Sequence, residues 1–224
     1  MQQLFILLVQ LVFIFSAYAQ PVVKTDYAFT DNFAKGASGK NAKDLSWYLA
    51  GPFVNNEQKV RAFFTWIASN IEYDVENYRN LDHIYQSIEY PNKFVEAAKN
   101  DSLYSHLIAD LVIKRKKGIC DGYARLFKTM CDYERIPCVL ITGYADWQVE
   151  LNSSSKYTEN HAWNAVYINK KWKLIDVTWA SGYCDETVTT YTKLFEPAYF
   201  FADPSFFYKH HLPTNLSWLS KQLI

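Results

Sequence analysis

The sequence predicts a domain of mixed α+β class, and three observations predict it. An amphipathic helical pattern opens at Cys120, with Tyr123, Ala124, Phe127 and Cys131 at three-to-four spacing. An apolar run from Cys138 to Tyr144 follows and reads as a buried strand. Two more strand patterns, Ala162 to Ile168 and Trp172 to Thr178, are joined by a turn at Asn169-Lys170 and so run antiparallel. The chain has 224 residues, 50% of them hydrophobic, which suits one compact domain or one domain with a small appendage.

Taken in order, Leu4 to Phe15 is apolar except for Gln10 and ends at Ser16-Ala17-Tyr18-Ala19, the pattern of a secretory signal cleaved after Ala19. The run is short against the ~20 residues that span a bilayer. No Lys or Arg precedes it, and only the α-amino group supplies positive charge there. Secretion or transfer to a periplasm is the expectation, with no membrane span after cleavage. Residues 20–40 carry Gly36, Ser38 and Gly39 and read as a flexible lead-in, so that the domain proper is expected over 41–224. Asn55-Asn56 can cap a helix running to about Ile71, with Val60, Phe63, Phe64, Ile67 and Ile71 as its buried stripe. Tyr78 to Asn100, polar and aromatic with a break at Pro91, fits no template. A further helix over Ser105 to Lys116 ends in Lys114-Arg115-Lys116-Lys117, where cations suit a helix C-terminus, and Gly118 stands just past the end. Beyond Cys138 to Tyr144, Asp146 to Glu159 reads as a loop around Ser153-Ser154-Ser155. Ser181 to Thr190 reads as loop, and the aromatic tail from Leu194, with Pro197, Pro204 and Pro213, as irregular but packed.

Charge argues against one class of partner. Lys+Arg and Asp+Glu both number 23, so the basic excess of a nucleic-acid binder is missing. Tyr, Phe and Trp number 17, 15 and 7, which supplies a core and leaves open a groove for extended peptide or glycan. The four Cys do not suggest a disulfide framework: with Cys120 set apart, Cys131, Cys138 and Cys184 form at most one bond, and Cys131 and Cys138 read as buried apolar residues.

The chemistry lies in three groups. A thiol ionises more readily in the first turn of a helix, where N–H groups are unpaired and the macrodipole is positive, and Cys120 is expected there. Its own N–H then points to where an oxyanion would develop, and Gly122 keeps the rim open. A two-residue turn at Asn169-Lys170 pairs Ile168 with Lys171, sets Trp163 opposite Asp176, and makes His161 and Asp176 diagonal neighbours about 7–8 Å apart at the backbone. A four-residue turn keeps that face; a three-residue turn puts them on opposite faces. The carboxylate would orient the imidazole, and the imidazole would hold the thiolate as an ion pair.

Three stretches carry a resemblance: Lys117-Gly118-Ile119-Cys120-Asp121-Gly122-Tyr123-Ala124, His161-Ala162-Trp163-Asn164-Ala165-Val166, and Trp172-Lys173-Leu174-Ile175-Asp176-Val177-Thr178-Trp179. Together they resemble the transglutaminase-like superfamily, a papain-related group. Phe64 to Asp74 is similar to the segment that opens the family's core, and Tyr199 to Pro204 with His210-His211-Leu212-Pro213 resembles the branch that includes kyphoscoliosis peptidase. The resemblance implies a Cys-bearing helix packed on an antiparallel sheet that carries His and Asp. It implies Cys120 as nucleophile, His161 as general base and acid, and Asp176 as orienter. Trp66 is a candidate second oxyanion donor through its indole N–H, and Trp163 and Trp179 are candidate walls of the cleft.

The leading expectation is an exported cysteine enzyme acting on amide bonds through an acyl-enzyme. Water as acceptor gives proteolysis or deamidation, and an amine gives cross-linking. The substrate would be a protein or a peptide, a cell-wall peptide included. No cofactor is expected, and no calcium loop is evident. The competing expectation is the same fold used as a binding or scaffolding module. A zinc site using Cys184 and His210-His211 lacks the usual ligand spacing.

Overall fold

The computed structural model describes residues 25–79, 100–146 and 159–220. The signal-like segment, most of the stretch from Tyr78 to Asn100 and the Ser153-Ser154-Ser155 loop lie outside the described residues.

The helices come first. Helix α1 (Ala28–Lys35) lies in the segment expected to be a flexible lead-in, and the expectation is corrected there. Asp31 of α1 accepts a two-pronged bond from Arg61, at 2.7 Å to both oxygens, and a third from Thr65. That buried charge pairing ties 25–40 to the domain, a contact between distant residues that local composition does not reveal. Helix α2 (Ala42–Ala50) is capped by Asn41, whose side chain accepts from the Asp44 N–H. Helix α3 (Asn56–Asn70) is capped by Asn55 and buries Val60, Phe63, Phe64 and Ile67, as its apolar spacing requires.

Strand β1 (Glu72–Tyr73) and the short helix α4 (Val75–Arg79) follow. Helix α5 (Asp101–Arg115) starts on Asn100 and stops where Lys116 adopts a left-handed conformation, φ 56°. The left-handed residue past the helix is thus Lys116, two residues before Gly118. Lys117–Gly118 instead forms β2, paired in parallel with β1. Helix α6 (Cys120–Tyr133) then packs against α5. Its Gly122 marks the closest approach: a Cβ there would lie 2.9 Å from a methyl of Val112.

Strands β3 (Cys138–Ala145), β4 (His161–Ile168) and β5 (Lys171–Ile175) form an antiparallel meander. The β4–β5 turn is the two-residue one, with Asn169 and Lys170 both at positive φ, 52° and 66°, the mirror-image turn that suits strand twist. Ile168 faces Lys171 and Asn164 faces Ile175. Strand β5 ends before Thr178 because Asp176 turns the chain: its carboxylate accepts the Trp179 N–H at 3.0 Å and starts a 3-10 turn over Trp179–Ser181.

The region expected to be loop opens with β6 (Gly182–Cys184), which pairs with β7 (Tyr191–Lys193) just past it, and 185–190 form the loop between them. The tail is more regular than expected. It supplies β8 (Phe200–Ala202), helix α7 (Pro204–Phe207), β9 (His211–Pro213) and helix α8 (Ser217–Ser220). Strands β8 and β9 complete a five-stranded sheet in the order β8-β5-β4-β3-β9. One sheet face packs on the helices through Cys138, Val166, Ile168 and Ile175. The other, with Ile141, Trp163, Ala165 and Leu174, is covered by Phe207 and Trp218 of the tail.

Candidate active site

Cys120 is the first residue of α6, preceded by Ile119 in an extended conformation with no side-chain cap. The segment just before it is pinned from the side: Asp74 N–H donates to the Gly118 carbonyl at 3.0 Å, and Tyr73 pairs with Gly118. The uncapped first turn leaves backbone donors beside the thiol. Cys120 is half-buried, with access to solvent.

His161 opens β4 opposite Gly143. Its Nε2 lies 2.7 Å from Asp176 Oδ2, and the Cys120 sulfur is near enough to act on the charge of the same ring. Burial alone would drive this ring toward neutral; the Asp176 carboxylate, and after it the Cys120 sulfur, outweigh burial and push its pKa up to about 10. Burial would likewise raise the Asp176 carboxyl, yet the neighbouring imidazoles hold it well below the usual carboxylate range.

The other thiols sit differently. Cys131 is pushed up by full burial and then by the neighbouring Cys138. Cys184 is pushed up by burial and then by Asp185. All four are free.

The remaining expected site residues divide. Trp179 is half-exposed, its ring 5.7 Å from that of His161. Trp163 is 1% exposed and packs between His161 and Phe207, inside the sheet-to-tail core rather than on a cleft. Gly122 is buried against Val112 and lines a small cavity of about 30 Å³ with Asp74, Ile108, Arg115 and Gly118, so its smallness serves helix packing. The oxyanion role expected of Trp66 is corrected: the indole is fully buried and its N–H donates to the Ala37 carbonyl at 2.8 Å.

Two neighbours were not picked out by the sequence. Tyr73 has its phenol held protonated by burial and then by the Cys120 sulfur. His211 of β9 places Nε2 at 2.9 Å from Asp176 Oδ2. The only hint in the sequence was the His210-His211-Leu212-Pro213 string, which carries no local sign of where its imidazoles go. The polar atoms of His161, Asp176 and His211 lie within 4.8 Å of one another, a spacing that a metal ion could use. The separations of 2.7 and 2.9 Å, however, are those of N–H donors on a carboxylate.

Comparison with known proteins agrees with this architecture. The family model described as Transglutaminase-like superfamily matches residues 48–177. Kyphoscoliosis peptidase of Mus musculus is 34% identical over 164 residues, 72% of this chain and 21% of the relative; that of Homo sapiens is 32% identical over the same shares. The chain thus spans about one fifth of the length of these curated relatives, 21% in each. A crystal structure of a TGase aligns over 71% of this chain and 35% of its own, with 22% identity and a TM-score of 0.36. By the family match and by identity to the two peptidases, the chain belongs to the transglutaminase-like superfamily, on the branch that includes kyphoscoliosis peptidase.

Proposed function

We propose that the chain is a cysteine-dependent acyl-transfer enzyme acting on amide bonds of protein or peptide, with Cys120, His161 and Asp176 as a triad. The observation that carries this is the buried His161–Asp176 pair, 2.7 Å apart, whose ring also feels the Cys120 sulfur at the start of α6. In the reaction the Cys120 sulfur attacks the amide carbonyl carbon and forms a tetrahedral adduct. The backbone N–H groups at the start of α6 stabilise its oxygen. His161 in its imidazolium form gives its proton to the departing nitrogen, and the C–N bond breaks to leave a thioester on Cys120. The neutral ring then takes a proton from the acceptor, which releases the acyl group. Asp176 orients the ring and stabilises its charge throughout. Water as acceptor completes hydrolysis or deamidation; an amine completes a cross-link. The apolar Leu4 to Phe15 run supports export as the setting.

The test is incubation with peptide amides and with glutamine-containing peptides, followed by intact mass analysis. An acyl adduct on Cys120 is expected, with ammonia or a peptide amine released, and none on Cys120→Ala. Asp176→Asn should lower the rate by a factor on the order of 10⁴. Equal adduct formation by Cys120→Ala would sink the reading.

A further inference from the structure

Asp176 holds two imidazoles, not one. The oxygen that accepts from His161 at 2.7 Å lies 2.9 Å from Nε2 of His211, and the other carboxylate oxygen is taken by the Trp179 N–H at 3.0 Å. The carboxylate therefore cannot turn without breaking a bond. His211 is itself fixed: it is 1% exposed, its ring stacks on Phe207 at 3.9 Å between centroids, and it lies 4.5 Å from the ring of Trp179. An apolar ring would fill that slot without the cost of burying two nitrogens. What distinguishes a histidine here is the donor it points at Asp176.

We propose that His211 is a positioning residue of this site: its Nε2–H holds the Asp176 oxygen that also accepts from His161, which keeps the His161 ring aimed at Cys120 and tempers the pull of the carboxylate on it. This rests on the reading of Cys120 and His161 given above. Two donors share one oxygen, so each bond is weaker than it would be alone. Burial draws the His211 ring toward neutral, against the carboxylate. A neutral ring has one N–H, and Nδ1 lies 3.1 Å from the Phe207 carbonyl, which can only accept. The proton thus has two claimants, and the proposal places it on Nε2. The other groups facing the cluster are Cys120 from α6, Tyr73 from β1 and Tyr199 ahead of β8, with the exposed His210–Asp146 pair at the rim.

The test combines ¹⁵N-histidine NMR titration with alkylation of Cys120 by iodoacetamide across pH. In the unsubstituted protein the His211 ring should carry its proton on Nε2 at pH 7; a proton on Nδ1 alone would overturn the inference without any variant. His211→Phe keeps the aromatic stack and removes the donor. It should slow Cys120 alkylation at pH 6 roughly tenfold and raise the His161 titration midpoint, and His211→Gln should recover most of the rate by restoring an N–H. An unchanged or lowered His161 midpoint in His211→Phe overturns the proposal, as does a loss of melting temperature alone. Should Cys120 of the unsubstituted protein react no faster than Cys184, the nucleophile reading itself has failed, and that outcome is distinct.

Discussion

Asp176 keeps its charge without any exposed surface because three nitrogens converge on it, the Trp179 N–H and one ring nitrogen each of His161 and His211. Its pairing with His161 makes stability depend on pH with a definite sign. The carboxyl is lowered from 3.8, so its contribution is complete above that value and fades as pH falls below it. The ring is raised from 6.5 to about 10, so its contribution is complete below 6.5 and is lost as pH rises through 10. The pair should therefore stabilise the fold most between these two ordinary values. Melting temperature should fall from pH 6.5 to 10 more steeply in the unsubstituted protein than in His161→Gln. Parallel curves for the two would contradict the pairing. At this scale the sequence marked His161 and Asp176 because both lie on one short hairpin. It did not mark His211, which reaches Asp176 from 35 residues away through a strand that pairs with β3.

Between elements, Asn164 ties the sheet to the helix that begins at Cys120. Fully buried, it donates to the Ala124 carbonyl of α6 at 3.1 Å and to the Val139 carbonyl of β3 at 3.2 Å. Asn164→Ala should cost about 1–3 kcal/mol in denaturant unfolding. Because α6 sets where the sulfur sits, the same variant should also slow Cys120 alkylation under conditions where it remains folded; an unaltered rate would detach the tie from the site. What was legible at this scale follows from periodicity and turn chemistry. The stripe on α3, the start of α6 and the Ile168–Lys171 register are all local properties. The misread elements were long-range. Helix α1 is too short to declare itself, and it holds through Arg61 of α3. The partner of the Trp66 indole is hidden for the same reason, since Ala37 lies in that same segment. The two-residue strands β1 and β2 exist only by pairing with each other.

Across the whole molecule, the N-terminal helices and the C-terminal tail enclose the strands from opposite sides. Arg61 is the main tie on the helical side, 4% exposed, doubly bonded to Asp31 and stacked over Tyr27 and Phe200 at 4.7 and 4.9 Å. Asp31→Ala leaves that guanidinium buried without its anion and should destabilise the fold by about 3–5 kcal/mol, read from chemical denaturation. A loss under 1 kcal/mol would show that α1 is dispensable. On the other side, Gly143 lets β9 come close: a Cβ there would lie 2.2 Å from the Leu212 carbonyl. Both outer strands of the five-stranded sheet belong to residues 200–213, past the span 48–177 that the family model matches. During synthesis on the ribosome, then, the nucleophile and its base emerge well before the sheet's flanks are sealed. A fragment trimmed to the matched span would present two bare backbone margins to any neighbouring copy, and should self-associate where the longer chain stays dispersed.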